Sequence, residues 1–139
     1  MGQPKFRAKQ IRQWLLRGAP DFASMKNIPD ALRTKLDGVA KTLPVHIVKK
    51  LESSDGETTK FLLELNDGEQ IECVLMRTTY GNSVCVSSQA GCAMGCRFCA
   101  STLKGKVRNL TAGEMFAQIA FINRTDPVSH VVVMGVGEP

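Results

Sequence analysis

The chain lacks several features that would assign it to a class at once. None of its apolar runs approaches the roughly 20 residues of a membrane-spanning helix, and its start, MGQPKFRAKQ, has no apolar stretch of the kind that leads a secreted protein. It has only two histidines, His46 and His130, which lie far apart in the sequence. Since 43% of its 139 residues are apolar and 22% are charged, we predict a globular protein of the cytoplasm.

Cysteine is present five times, which is an odd number. In a reducing compartment this count argues against a disulfide framework and favours metal binding or thiol chemistry. Three of the five, Cys92, Cys96 and Cys99, lie within the segment GCAMGCRFCAST. Cys73 stands apart and is equally well explained as a small buried apolar residue.

The net charge of +5 is distributed unevenly. Residues 1–50 contain eleven Lys/Arg and three Asp/Glu, whereas residues 51–139 contain seven and ten. This asymmetry indicates a basic module that binds a polyanion, joined to a chemically different part. The alternative is an ordinary solvated surface rich in Lys and Arg.

The basic part has the pattern of two helices. Residues 4–17 place Ala8, Ile11, Trp14 and Leu15 at helical spacing, with cationic residues on another face. A second helix follows Pro29 and ends at Gly38. We therefore predict a basic helical RNA-binding domain over residues 1–44.

Residues 45–81 have the pattern of a β-meander. Three strand-like segments, HIVKKLES, TTKFLLEL and QIECVLMR, are separated by the turn signals Ser54-Asp55-Gly56 and Asn66-Asp67-Gly68. A further strand, NSVCVSS, leads directly into the cysteine-rich segment.

Residues 82–139 have the pattern of an α/β fold. Thr111 and Glu114 have capping-box spacing and open a helix through Arg124 with Met115, Ile119 and Ile122 on its buried side. The run HVVVM at 130–134 is typical of a strand buried on both faces of a parallel sheet. Strand, helix and strand form a βαβ unit. Because such a strand needs a neighbour on each side, we expect the chain to be an N-terminal piece of a larger protein.

The cysteines have the spacing Cys-x3-Cys-x2-Cys. A structural zinc site usually needs four ligands in two close pairs, so zinc would require Cys73 or Cys85 as the fourth. A [4Fe–4S] cluster fits better, because three thiolates from one loop hold three irons and leave the fourth open for catalysis. Gly91 and Gly95 would let the backbone fold closely around it.

This spacing, with Phe98 before the last cysteine, resembles the signature of the radical S-adenosylmethionine (radical-SAM) enzymes. The longer segments VCVSSQAGCAMGCRFCAST, RNLTAGE and MGVGEP resemble the dual-specificity adenine-C2 methyltransferases of 23S rRNA and tRNA. The implied fold is the start of a partial (β/α) barrel over residues 82–139, with the cysteine loop after its first strand. The resemblance also implies a monomer, and an electron donor such as flavodoxin.

The resemblance assigns Cys92, Cys96 and Cys99 to the cluster. It assigns Gly137 and Glu138 of GVGEP to the amino group of S-adenosylmethionine, for which a carboxylate is a suitable partner. On the residues alone, GVGEP is equally a plain turn.

Two more positions match family residues. Glu72 matches the proposed proton acceptor, although by itself it reads as a solvent-facing strand residue. Cys85 matches the cysteine that resolves a covalent enzyme–RNA intermediate by forming a transient disulfide; its alternative is a packed strand residue.

The implied reaction begins when a further cysteine, not found in this chain, takes a methyl group from one S-adenosylmethionine. A radical derived from a second molecule then activates that methyl for addition to the adenine ring. Two alternatives stay open: the related branch that methylates adenine at C8, and a non-catalytic RNA-binding module stabilised by zinc.

Overall fold

The computed structural model describes residues 2–139 and resolves two compact units, one ending at Leu43 and the other beginning at Pro44. Residues 45–81 and 82–139 lie in the same unit and share one sheet. The division of the chain into three functional parts therefore stays a prediction.

The first unit contains two helices, each introduced by a proline. Helix α1 spans Lys5–Leu16 and helix α2 spans Asp30–Asp37, with Gly38 at the end of α2. Both agree with the bounds predicted from the sequence to within about two residues.

A small apolar core holds this unit together. Ile11, Trp14 and Leu15 of α1 pack against a buried cluster, and the Trp14 indole N–H donates to the Asn27 side-chain oxygen at 2.6 Å. The cluster consists of Ala19, Phe22, Met25, Ile28 and Leu32. Ala8, expected on the packed side, is exposed because the contacts of α1 with this cluster begin at Ile11.

The second unit is built on strands that match the predicted meander and βαβ pattern. The elements are β1 (Val45–Glu52), β2 (Thr58–Leu65), β3 (Gln70–Thr78), β4 (Gly81–Cys85), β5 (Gln89–Gly91), β6 (Lys106–Asn109), α3 (Ala112–Ile122) and β7 (Val128–Val132). A short 3-10 helix, Ala100–Thr102, lies between β5 and β6.

Five strands form one mixed sheet in the order β1-β2-β3-β4-β7, while β5 and β6 form a separate pair. Strands β1 to β4 are antiparallel neighbours, and β7 pairs in parallel with β4. The α/β class is thus confirmed. The partial barrel and the RNA-binding role of the helical unit remain predictions.

The two faces of this sheet differ in burial. One face carries fully buried side chains such as Leu63, Ile71 and Leu75, and the Phe61 ring on it meets Phe121 of α3 edge to face, with centroids 5.6 Å apart. The opposite face is only partly covered. We call it the open face; its central side chains are Lys60, Leu62, Glu72, Val74 and Cys85.

The apolar run at 130–134 differs from its prediction. Its first three residues belong to β7, which is parallel to β4 as expected, whereas Val133 and Met134 follow the strand. Val131, Val133 and Met134 are exposed. Among residues 2–139, β7 has β4 as its one strand neighbour, so its other side is uncovered by a strand of this part of the chain.

Helix α3 begins with the predicted capping box. The Thr111 hydroxyl accepts from the Glu114 backbone N–H at 3.2 Å, and the Glu114 carboxylate accepts from the Thr111 N–H at 2.8 Å. Of the three apolar residues expected on its buried side, Ile122 is fully buried, whereas Met115 and Ile119 are half-buried.

Arg108 connects this capping box to the rest of the unit. Its guanidinium donates to both Glu114 oxygens at 2.8 and 2.9 Å, and its Nε donates to the Asp67 carboxylate at 2.7 Å. The hydrogen bonds from Arg108 lower the pKa of Glu114 from its ordinary 4.5 to about 2, with further help from Thr111. The ionised carboxylate therefore ties α3 to the β2–β3 turn.

We predict that Glu114→Gln destabilises the unit at neutral pH by roughly 1.5–3 kcal/mol, since a charge-assisted hydrogen-bond partner is lost. The folded-state pKa is depressed, so the contribution is complete above about pH 4.5 and lost as pH falls toward 2. Urea unfolding across this range should be less pH-dependent in the variant. Glu57→Gln, at an exposed position, is the control; equal pH dependence in both variants would contradict this role.

Candidate functional site

Strand alternation places two of the predicted site residues on one face. Cys85 of β4 lies opposite Val74 of β3, and Glu72 is two residues from Val74 along β3. Since side chains of paired residues share a face and alternate along a strand, Glu72 and Cys85 both belong to the open face. Such diagonal neighbours are roughly 7–8 Å apart.

Glu72 has a cationic partner that the sequence analysis missed. The Lys60 Nζ lies 2.7 Å from Glu72 Oε1, and both side chains are about half exposed. The signal was available, because the predicted β2–β3 hairpin brings these residues to one face. Without the register, however, Lys60 is indistinguishable from any other strand lysine.

The three clustered cysteines occupy the loop between β5 and β6. The Cys92 N–H donates to the Gly105 carbonyl at 3.2 Å, which closes the loop, and the Cys99 N–H donates to the Cys96 carbonyl at 3.0 Å. Gly91 has φ +69°, and any side chain there would clash with the Gly105 carbonyl oxygen. The loop therefore requires glycine at its first position.

The three thiols are not in disulfides, and they differ in exposure. Cys92 is buried, Cys96 and Cys99 are half-buried, and all three are free. In the part of the chain that the structure describes, no three His, Cys, Asp or Glu side chains are close enough to hold a metal ion. Phe98 does not pack in the core, because it is 94% exposed.

The GVGEP segment packs closely against residues 87–89. A Cβ at Gly135 would lie 2.8 Å from the Ser87 backbone nitrogen, and one at Gly137, with φ +106°, would lie 2.5 Å from Gln89 Cβ. The Glu138 N–H donates to the Gln89 side-chain oxygen at 3.3 Å. This contact brings the predicted cofactor-binding residues beside the strand that enters the cysteine loop.

Ser87 connects three elements around this site, and the sequence analysis missed it. Its hydroxyl donates to the Glu72 carbonyl at 2.6 Å and accepts from the Val136 N–H at 2.8 Å. Its backbone N–H and carbonyl bind the side-chain amide of Gln118 on α3, at 2.9 and 3.0 Å. The available signal was a glutamine between the apolar residues Ala117 and Ile119 of the predicted helix.

A cavity of about 760 Å³ lies beside the open face. Glu72 and Lys60 border it from the sheet, Ser101 and Leu103 from the segment after the cysteines, and Val136 from GVGEP. Its full lining is Lys60, Leu62, Gly68, Glu69, Gln70, Glu72, Gly91, Ala100, Ser101, Leu103, Lys104, Gly105, Val107 and Val136. The cysteine side chains, Gly137 and Glu138 are near neighbours of this lining in sequence but are not part of it.

Cys73 contrasts with Cys85. It lies on the helix-covered face and is completely buried. Burial, with a smaller effect from the nearby Cys85 thiol, raises the pKa of Cys73 to about 12. Since the thiolate is the reactive form, a raised pKa makes the Cys73 thiol unreactive at neutral pH. This agrees with the interpretation of Cys73 as a small buried apolar residue.

Comparison with known proteins finds similarity to methyltransferases, both by sequence and by structure. Residues 1–42 match the model of the ribosomal RNA large subunit methyltransferase N-terminal domain. The chain is similar to a crystal structure of a radical SAM methyltransferase from Sphaerobacter thermophilus, with a TM-score of 0.93 and 42% identity, over 99% of this chain and 42% of that one.

More specific matches come from curated proteins named probable dual-specificity RNA methyltransferase RlmN. The one from Clostridium acetobutylicum is 48% identical over 99% of this chain and 41% of its own length. The one from Symbiobacterium thermophilum is 51% identical over 100% of this chain and 39% of its own length. The resemblance to the dual-specificity RNA methyltransferases is thus confirmed along the entire chain, which spans about two fifths of these relatives.

We predict that Gly137→Ala destabilises the second unit by roughly 1–3 kcal/mol, because the new Cβ would overlap the Gln89 side chain and the backbone would be strained. Gly56→Ala is a matched control, since Gly56 has φ +73° but open space around it. The urea midpoint should fall further for Gly137→Ala than for Gly56→Ala. Equal losses would mean that GVGEP does not need its close contact with Gln89.

Proposed function

We propose that this chain forms part of a radical-SAM methyltransferase that methylates C2 of an adenine in 23S rRNA and in tRNA. The observation that carries the proposal is the cavity beside the open face. It brings Glu72, the segment after the cysteines and GVGEP together. The high identity to dual-specificity RNA methyltransferases supports the substrate assignment.

The donor chemistry of the cysteine loop fits a [4Fe–4S] cluster. Cys92, Cys96 and Cys99 are free thiols in one short loop, and soft thiolates are the usual ligands of iron–sulfur clusters. Three ligands from this chain would leave one iron free for S-adenosylmethionine, and the bound pair would supply a carbon radical.

Gly137 and Glu138 are suited to the amino group of S-adenosylmethionine. Glu138 is exposed and carries the charge that an ammonium group requires, while Gly137 allows the backbone to lie against Gln89. The contact between Glu138 and Gln89 supports a position next to the cysteine loop.

Glu72 and Cys85 have complementary roles in this proposal. Glu72 would accept the proton lost from the adenine ring carbon in the covalent enzyme–RNA adduct, and the unpaired electron left by radical addition would pass to the iron–sulfur cluster. Cys85 attacks the sulfur that links enzyme and RNA, so that an S–S bond forms while the S–C bond breaks. The electron pair stays on the methylene carbon, which takes up a proton to become the methyl group. Their shared face supports this division of work.

The helical unit is proposed to dock RNA. Lys5, Lys9 and Arg12 are exposed on α1 and carry no described ion pair. Phosphate contacts by such cations give salt-dependent binding that reads shape more than sequence.

The remaining assignments are proposals of the same kind. Among residues 2–139, no helix is long and apolar enough to span a membrane. We propose that the protein acts in the cytoplasm as a monomer, with an electron donor such as flavodoxin. Five free cysteines support a reducing compartment.

The function can be tested in a chimera in which this chain replaces the matching 41% of the Clostridium acetobutylicum relative. After anaerobic reconstitution with iron and sulfide, the chimera should absorb visible light as [4Fe–4S] proteins do. It should also methylate 23S rRNA and tRNA, and mass spectrometry of the modified nucleoside should identify 2-methyladenine.

Cys92→Ala should remove both the colour and the methylation, whereas Cys73→Ala, at a thiol outside the loop, should retain the colour. A colourless protein that takes up only zinc would support the zinc-stabilised RNA-binding module instead. Methylation at C8 would support the other branch.

We predict that replacing Lys5, Lys9 and Arg12 with Gln weakens RNA binding and flattens its salt dependence. Each lost phosphate contact should reduce the slope of log K against log salt by up to about 0.9. Lys50→Gln is the control because Lys50 is already paired with Glu52. An unchanged slope in the triple variant would move the RNA-binding surface away from α1.

A further inference from the structure

We propose that Lys60 is a positioning residue for Glu72, which it holds in the orientation needed to accept the proton from the adenine ring. This inference rests on the proposed function, since it assumes that Glu72 is the proton acceptor. It assigns a role to a side chain that does not itself need to contact the reacting atoms.

The register of the β2–β3 hairpin brings the two side chains together. Glu72 lies opposite Leu62, and Lys60 lies opposite Val74, so Lys60 and Glu72 are diagonal neighbours on the open face. The Lys60 Nζ reaches across to Glu72 Oε1 at 2.7 Å. Both side chains border the large cavity and also a second cavity of about 180 Å³ on its β1 side.

The backbone and side chain of Glu72 are fixed by different partners. The Ser87 hydroxyl holds the Glu72 carbonyl at 2.6 Å, so the backbone is anchored independently of the carboxylate. Among the residues that the structure describes, Lys60 is the cation paired with that carboxylate. The three rotatable bonds of the glutamate side chain are therefore restrained by Lys60.

The ion pair between Lys60 and Glu72 is expected to add little to the stability of the fold. Half-exposed pairs contribute little to folding, because solvent screens them and ordering two long side chains costs entropy. A general base, in contrast, must lie within hydrogen-bond reach of the proton it removes, so its orientation affects the rate directly. The position of the pair at the cavity favours the second role.

The chain contains a matched control. Lys50 and Glu52 form an ion pair of 2.9 Å with side-chain exposures of 49% and 48%, against 2.7 Å, 45% and 42% for Lys60 and Glu72. Lys50 and Glu52 border neither cavity beside the open face. Loss of either cation should have the same small effect on stability, and only loss of Lys60 should affect the reaction.

The test uses the active chimera with Lys60→Met, Lys60→Arg and Lys50→Met. Lys60→Met should lower kcat about tenfold or more, as a part of the 10²–10⁴-fold that general bases contribute, with KM for RNA changed less than about threefold. Because proton loss precedes release, it should also accumulate a nuclease-sensitive covalent enzyme–RNA species on denaturing gels. Lys60→Arg should recover most of kcat, and Lys50→Met should match the unsubstituted chimera in kcat.

The variants also separate the possible failures. Equal melting temperatures for Lys60→Met and Lys50→Met would support the positioning role by excluding a folding defect. A raised KM with unchanged kcat would assign Lys60 to RNA binding and overturn the inference, as would normal turnover without the covalent species. If the unsubstituted chimera forms no methylated RNA, the proposed function fails before Lys60 is tested.

Discussion

The arrangement of the second unit depends on the buried hydrogen bonds between Ser87 and Gln118. The backbone N–H and carbonyl of Ser87 both bond the side-chain amide of Gln118. The Ser87 hydroxyl bonds the Glu72 carbonyl of β3 and the Val136 N–H. Unpaired polar groups are costly in a buried position, so these partners must stay together. A sheet, a helix and a loop are consequently held in one geometry at the point where the candidate site begins.

Local signals in the sequence were sufficient for most elements. Pro29 and Gly38 predicted the two ends of α2. Thr111 and Glu114 predicted the start of α3, where the structure contains their capping box. Each of these signals acts over a few residues, so no tertiary information is needed to read it. The family motifs supplied the candidate roles of Glu72 and Cys85, and strand alternation then explains why the two residues share a face.

Features that depend on long-range pairing were beyond the sequence. The partnership of Lys60 with Glu72 needs the exact hairpin register. The exposure of Val131 goes with the single strand neighbour that β7 has among residues 2–139. An apolar run predicts a strand well but says nothing about the number of its neighbours. The cysteine spacing likewise indicates which thiols could bind one cluster. It does not determine the distances between their sulfur atoms in the absence of that cluster.

Two consecutive residues of β3, Glu72 and Cys73, lie on opposite faces of the sheet. Glu72 lies on the open face, while its neighbour Cys73 is completely buried on the opposite face, where burial raises the pKa of its thiol. A slip of β3 by one residue would exchange them, hiding the carboxylate in an apolar interior and presenting a second sulfur beside Cys85. The pairing of β3 with both neighbours thus determines that the carboxylate, and not the second thiol, lies on the same face as Cys85.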